Sequence, residues 1–170
     1  MIQYSELKNI TDTPYEVLVT TGYGQMNNVR KQIIERLKSS GVKIADYIHP
    51  SSLVYSSKIG IGNIILENCS VGAFTEIGDG NIIYPSTTLA HHSKVGNYNF
   101  FSVECAIAGH VNIGNNCFFG VNCTVKNDIT ISDYTLVGAA AYINRDTDKY
   151  GVYTPARSQK LDKSSMDIKI

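Results

Sequence analysis

Large apolar residues recur at every sixth position through the middle of the chain. They are Leu53, Ile59, Ile65, Val71, Ile77, Ile83, Leu89, Val95, Phe101, Ile107, Ile113, Phe119, Val125, Ile131, Val137 and Ile143, sixteen in succession without a gap. About a third of the residues in an average chain are large and apolar, so an unbroken series of this length is not accidental. A period of six fits neither the α-helix nor plain strand alternation. It is the pattern of a hexapeptide solenoid, a parallel β-helix with one core-facing side chain per step. Three steps per turn give triangular coils of eighteen residues, and Ile59-Gly60, Ile77-Gly78, Val95-Gly96 and Ile113-Gly114 recur at that interval. Glycine on this edge is read as relief for the backbone at a tight corner. Residues 51–144 are thus predicted to form about five coils, roughly 25 Å tall at about 4.8 Å per coil.

A second column follows from the first. Four residues after the apolar position stand Ser57, Asn63, Cys69, Thr75, Asn81, Thr87, Ser93, Asn99, Cys105, Val111, Cys117, Cys123, Thr135, Ala141 and Thr147. All four cysteines fall in this mostly small column. A position shared by Cys, Ser, Thr and Asn reads as packing. The thiols then act as small buried groups rather than as metal ligands or disulfide partners.

Residues 1–50 lack the repeat. Residues 16–21 are β-branched and apolar and read as a strand, broken by Gly22-Tyr23-Gly24. Residues 27–38 carry Val29, Ile33, Ile34 and Leu37 at helical spacing, with Gly41 as a terminator. Residues 42–48 read as a second strand ended by Pro50. Together these predict a partial α/β unit, a truncated Rossmann-like fragment capping the N-terminal end of the solenoid. The Gly-x-Gly lacks the third glycine and the acidic partner of a dinucleotide fingerprint and is read as a turn. Residues 145–170 lose the repeat again and are expected to cap the other open end.

The chain carries 15 Lys and Arg against 15 Asp and Glu, a net charge of zero. That argues against sequence-independent nucleic-acid binding, which needs clustered cations. No apolar run reaches the roughly 18 residues of a membrane helix. Residues 1–6 show neither the basic nor the apolar region of a signal peptide, so a cytoplasmic location is expected.

The hexapeptides, the segment from His91 to Gly96, the segment Ala108-Gly109-His110-Val111-Asn112-Ile113-Gly114 and the segment Val137-Gly138-Ala139-Ala140-Ala141 together resemble the left-handed β-helix acyltransferases. The similarity is greatest to the sialic-acid O-acetyltransferase-like, or bacterial amino-sugar N-acetyltransferase, subfamily, and it covers about residues 15–157, including the Tyr47-Ile48-His49-Pro50 junction. The resemblance implies a left-handed coil, a homotrimer with active sites between adjacent prisms, acetyl-CoA as co-substrate in the groove, and no metal. It implies an acceptor amino group on a nucleotide-linked sugar, with a sugar hydroxyl as the alternative. His91 matches the catalytic histidine of that family. Gly109 matches the glycine whose N–H faces the thioester carbonyl. Gly138, Ala139 and Ala140 match a small-residue segment that admits the CoA chain. Phe100 stands where relatives often carry a second histidine contacting the cofactor. Two departures stand out: the chain starts after the strand and glycine-rich turn that open full-length relatives, and His92 replaces an acidic residue that often follows the catalytic histidine.

Acyl transfer from a thioester needs a base, donors to the oxyanion and a groove that aligns the donor. Imidazole is the side chain best suited to take a proton near neutrality, which points to His91 with His92 beside it. The eighteen-residue register sets Gly109 one coil above His91 and His110 one coil above His92, with Asp128 a further coil on. An Asp128–His110–His92 ladder would orient His91. Arg145, Lys149 and Arg157 are candidates for the CoA phosphates. Two other classes share the solenoid. A γ-class carbonic anhydrase would bind zinc through three histidines at a subunit interface, a spacing that His49, His91, His92 and His110 do not show. An inactive trimeric scaffold is the other alternative.

Overall fold

The computed structural model describes residues 15–168. Each six-residue step folds into a two-residue strand and a corner, and each strand pairs in parallel with the strand one coil away. Backbone donors and acceptors are thereby satisfied between coils rather than within them. The strands form sheets of seven, six and five members. The seven-stranded sheet begins at Tyr47–Ile48 and ends at Val152–Tyr153; the six-stranded sheet runs from Leu53–Val54 to Tyr142–Ile143; the five-stranded sheet runs from Lys58–Ile59 to Thr130–Ile131. The result is a solenoid of about six turns rather than the five expected. The first and last strands of the seven-stranded sheet lie outside the six-step series, which is why the sequence undercounts them.

The core is the inward column. Ile65, Val71, Ile83, Leu89, Phe101, Phe119, Val125, Ile131 and Val137 are completely buried. Burial of each such side chain contributes about 1.5–3 kcal/mol relative to exposure. Leu53 departs from this pattern. It pairs with Ser70 while Val54 pairs with Val71, so Leu53 faces outward and Val54 packs on the core. The corner between Val54 and Ile59 is one residue shorter than the later ones. Because both neighbours are apolar, the six-step count cannot detect the slip.

The small column is buried as well. Asn63 Oδ1 accepts from the backbone N–H of Asn81 at 2.9 Å, and Asn81 Oδ1 accepts from that of Asn99 at 2.9 Å, so each amide staples one coil to the next. All four thiols are buried and unpaired. Burial pushes the Cys117 thiol up to about 12 and that of Cys69 upward as well, which makes them inert, as the register implies.

The edge glycines have a different cause from the one expected. A Cβ on Gly78 would lie 2.8 Å from the carbonyl oxygen of Gly96, and one on Gly60 2.7 Å from that of Gly78. Close stacking of coils excludes a side chain there. The left-handed backbone falls two positions later, at Gly62 and Gly80.

The described part of the N-terminal segment, from residue 15, does not sit across the end of the prism. The helix Asn28–Ser39 runs along its side, over the corners that follow the five-stranded sheet. Lys38 Nζ bonds Asp79 at 2.9 Å near one end, and Asn28 Oδ1 accepts from the Tyr134 hydroxyl at 3.2 Å near the other. Ten helical steps span about 15 Å, and the three coil spacings between those anchors about 14 Å, so helix and solenoid match in length. Ile34 and Leu37 are buried against the prism, as their spacing suggests, but so are Arg30 and Asn27. The strand expected at residues 16–21 reduces to a single parallel bridge, Val17 with Ile44, and of the one expected at 42–48 the end, Tyr47–Ile48, forms the first strand of the solenoid. Asp46 then accepts from the backbone N–H of Asn63 at 2.7 Å and hands the chain to the first solenoid strand. No helix of the described residues is long and apolar enough to cross a membrane.

Candidate active site

His91 and His92 occupy the corner after the strand Thr88–Leu89, and Gly109 and His110 the corner one coil above, after Ala106–Ile107. The backbone holds these corners in register. The N–H of His110 donates to His91 O at 3.1 Å, and that of His92 donates to Ala73 O at 3.0 Å. Ser93, in the small column, donates to Ala108 O and accepts from the N–H of Val111, both at 3.2 Å. His92 and His110 both adopt left-handed backbone, which turns their side chains out from the prism edge.

The three imidazoles converge. His91 Nδ1 and His92 Nδ1 are 3.0 Å apart, a hydrogen bond in which one ring donates and the other accepts. His92 and His110 stack with ring centroids 4.9 Å apart and planes at 14°, as the register predicts. His91 meets His110 edge to face at 5.3 Å. One nitrogen from each ring lies within 4.8 Å of the others, and all three side chains are exposed. Sequence spacing reveals the stack but not this convergence, since the contact between neighbouring His91 and His92 depends on the turn of the corner. Asp128 does not extend the ladder: its carboxylate instead accepts a hydrogen bond from the side-chain amide of Asn127. Phe74, one coil below His92, packs on that ring at 4.8 Å and closes the lower side.

Gly109 sits directly above His91. A Cβ there would lie 2.8 Å from His91 Cε1 and 3.1 Å from Nε2. Its carbonyl accepts from the N–H of Asp128, whereas its own N–H makes no hydrogen bond within the described residues. An unengaged backbone donor therefore stands beside an imidazole with no side chain between them.

Phe100, Gly138, Ala139 and Ala140 lie elsewhere. Phe100 is buried among Tyr23 at 4.9 Å, Tyr84 at 4.8 Å and Phe118 at 5.7 Å. With Ala139 it lines an apolar cavity of about 390 Å³. Gly138 is fixed by its N–H to Tyr153 O at 2.7 Å, and Ala140 by its N–H to Val121 O at 2.8 Å. This cavity opens at the corner on the opposite edge of the six-stranded sheet from the histidines, one prism side away, or roughly 20 Å at the strand rise. Within one chain the two groups do not meet. Arg145 follows the last strand of the histidine-bearing edge, Lys149 stacks over Tyr150 at 5.3 Å, and Arg157 is exposed. His49 is remote from the cluster and bonds Ser51 Oγ at 2.9 Å.

No protein-family model and no curated protein sequence matches the chain. Solved structures do resemble it. The acetyltransferase domain of PglB from Neisseria gonorrhoeae, in complex with acetyl coenzyme A, superposes with a TM-score of 0.79 at 22% identity, over 91% of this chain and 76% of that one. PerB from Caulobacter crescentus, in complex with CoA and GDP-perosamine, gives a TM-score of 0.83 at 24% identity, over 90% of this chain and 73% of that one. The UDP-N-acetylglucosamine O-acyltransferase of Moraxella catarrhalis gives 0.61 at 27% identity, over 74% of this chain and 57% of that one. The chain has the fold these proteins share, the left-handed parallel β-helix.

Proposed function

We propose that the chain is an acetyl-CoA-dependent acetyltransferase acting on an amino group of a nucleotide-linked sugar, with His91 as general base. The observation that carries the reading is the pairing of His91 with Gly109 across one coil: an exposed imidazole lies over a buried glycine whose N–H makes no hydrogen bond among the described residues, and only glycine fits beneath the ring as it stands. The likeness to PglB and PerB, solved with acetyl-CoA and with CoA and GDP-perosamine respectively, suggests the donor and the class of acceptor.

The acceptor amine attacks the thioester carbonyl carbon, and His91 Nε2 takes the proton the amine sheds. For that, His91 Nδ1 must carry its own hydrogen. The 3.0 Å contact holds that hydrogen when His91 Nδ1 donates and His92 Nδ1 accepts, one of the two directions open to it. His92 thus takes the orienting role that an acidic residue has in relatives. The oxyanion forms against the N–H of Gly109 and collapses to the amide, expelling the CoA thiolate. A sugar hydroxyl would react at the same site by the same proton transfer. The apolar cavity beside Phe100 and Ala139 is one prism side away from the histidines. In a homotrimer the cavity edge of one subunit would face the histidine edge of the next, and acetyl-CoA would lie in that groove with Arg145, Lys149 or Arg157 on its phosphates. A cytoplasmic location accords with this donor.

The test is release of free thiol from acetyl-CoA across a panel of nucleotide-linked amino-sugars. Release should depend on the acceptor amine and fall by about 10²–10⁴-fold in His91→Ala. Acetyl-CoA at 100 times its Kd should add about 2.7 kcal/mol of stability. Absence of both thiol release and a thermal shift at millimolar acetyl-CoA would instead identify an inactive scaffold.

A further inference from the structure

We infer that His91, His92 and His110 form a binding site within a single chain for one transition-metal dication of the zinc, cobalt, nickel or copper type. Three imidazoles offer a nitrogen each within 4.8 Å of one another, and this is the one group of three such ligand side chains among the described residues. Two nitrogens on a tetrahedral zinc ion, each at about 2.0–2.1 Å, stand about 3.3 Å apart. His91 Nδ1 and His92 Nδ1 are already at 3.0 Å. Their lone pairs now share a proton, and a dication would take that proton's place. The third nitrogen needs to close by about 1.5 Å to reach the distance a tetrahedral ion demands. An exposed ring gains that distance by turning about its own side-chain bonds, with no movement of the backbone.

The surroundings favour the ion further. The three backbones are locked to neighbouring coils by the N–H of His110 on His91 O and that of His92 on Ala73 O, so little order remains to be imposed on binding. The left-handed corner position repeats as Phe74, His92, His110 and Asp128, with φ of 60°, 58°, 59° and 59°. Phe74 supports the His92 ring from below. Nitrogen-only ligation selects late transition metals over magnesium and calcium, which prefer oxygen. The thiols do not compete, because all four are buried in the core, and His49 is held apart by Ser51. One consequence rests on His91 being the base: an ion on this nitrogen set displaces the proton that fixes the tautomer and occupies the reacting edge, so it acts as a competitor of acyl transfer rather than its cofactor. The binding itself does not depend on that reading.

The experiment is a Co²⁺ titration of untagged protein followed by visible absorption, with Zn²⁺ as competitor. One Co²⁺ per chain is expected, with the intense visible bands of a four- or five-coordinate ion, bleached by Zn²⁺ and unaffected by excess Mg²⁺. The bands should be lost in His92→Asn and in His110→Asn, where asparagine tolerates the left-handed backbone and preserves the fold. They should persist in His49→Asn. Weak octahedral bands alone, binding that survives His110→Asn, or thiolate-to-cobalt absorption in the near ultraviolet would each overturn the assignment. Binding by a protein that releases no thiol from acetyl-CoA would uphold the site and remove only the catalytic reading.

Discussion

Replacing Arg30 by lysine should destabilise the fold about as much as replacing it by methionine, although lysine keeps the charge. Arg30 is fully buried on the solenoid-facing side of the helix. Its guanidinium makes six hydrogen bonds: to the carbonyls of Gly80, Thr21, Gly22, Tyr98 and Asn99, and to Asn27 Oδ1. No ion pair to a carboxylate forms at Arg30 among the described residues, and desolvation lowers its pKa from the usual arginine value to about 10. That shift corresponds to a burial cost of about 3 kcal/mol, which the hydrogen bonds offset. Lysine keeps the buried charge but gathers its donors on one atom, which cannot span carbonyls on three sides. At least two buried carbonyls then lose their partner at about 1–3 kcal/mol each, for a loss of about 3–5 kcal/mol. Methionine offers no donor at all, so Gly80 O, Tyr98 O and Asn27 Oδ1 lose this partner together with the carbonyls of Thr21, Gly22 and Asn99; removal of the charge and its desolvation cost returns part of that, for a net loss of about 3–5 kcal/mol as well. The chain has no tryptophan, so unfolding in urea is best followed by circular dichroism. A lysine variant within about 0.5 kcal/mol of wild type would show that the rigid fork of arginine is not what fastens helix to solenoid.

Gly109→Ala should keep the fold, because the imidazole its Cβ would meet is exposed and can swing away, yet it should cut kcat by about 10²-fold through displacement of the base; a change in KM alone would count against the role of this pair. Asn81→Ala removes five hydrogen bonds, three given to Asn63 Oδ1, Asp79 O and Gly96 O and two accepted from Asn99, and should cost about 3–5 kcal/mol in chemical denaturation. Lys38 has its pKa raised, chiefly by its hydrogen bond to Asp79. Its stabilisation is present below the unfolded value of 10.5 and fades as the pH rises beyond it. Lys38→Met should therefore be less stable than wild type by about a few tenths of a kcal/mol at pH 8, a gap that closes above that value.

The solenoid is legible in the sequence because one physical demand, a side chain of the right kind pointing inward, repeats at fixed spacing. Register carries that legibility into the candidate site: the stacking of His92 on His110, and of Gly109 over His91, follows from counting eighteen. It fails where the demand is met by either of two neighbours, as at Leu53 and Val54. It fails again where burial is earned by hydrogen bonds rather than by apolar character. Arg30 and Asn27 look like surface residues of a helix, yet they dock it, and only the carbonyls of distant corners explain why. The motif places Phe100 only by position, where relatives often carry a histidine contacting the cofactor. Its surroundings of Tyr23, Tyr84 and Phe118 depend on where the N-terminal segment lies, which no repeat encodes. The convergence of three imidazoles depends on side-chain direction at a corner, a level below that of register.

The docking of the helix along the prism also sets an order of events during synthesis. Asn27 donates to the carbonyl of Cys117, 90 residues downstream, and Tyr134 reaches Asn28 across 106. At roughly 5–20 residues per second the helical segment waits about 5–20 s after leaving the ribosome before those acceptors exist. Through that interval its arginine and asparagines remain in water, with nothing yet made for them to hold. The part of the chain translated early is thus the part fastened late, closing along the side of a solenoid that has already wound.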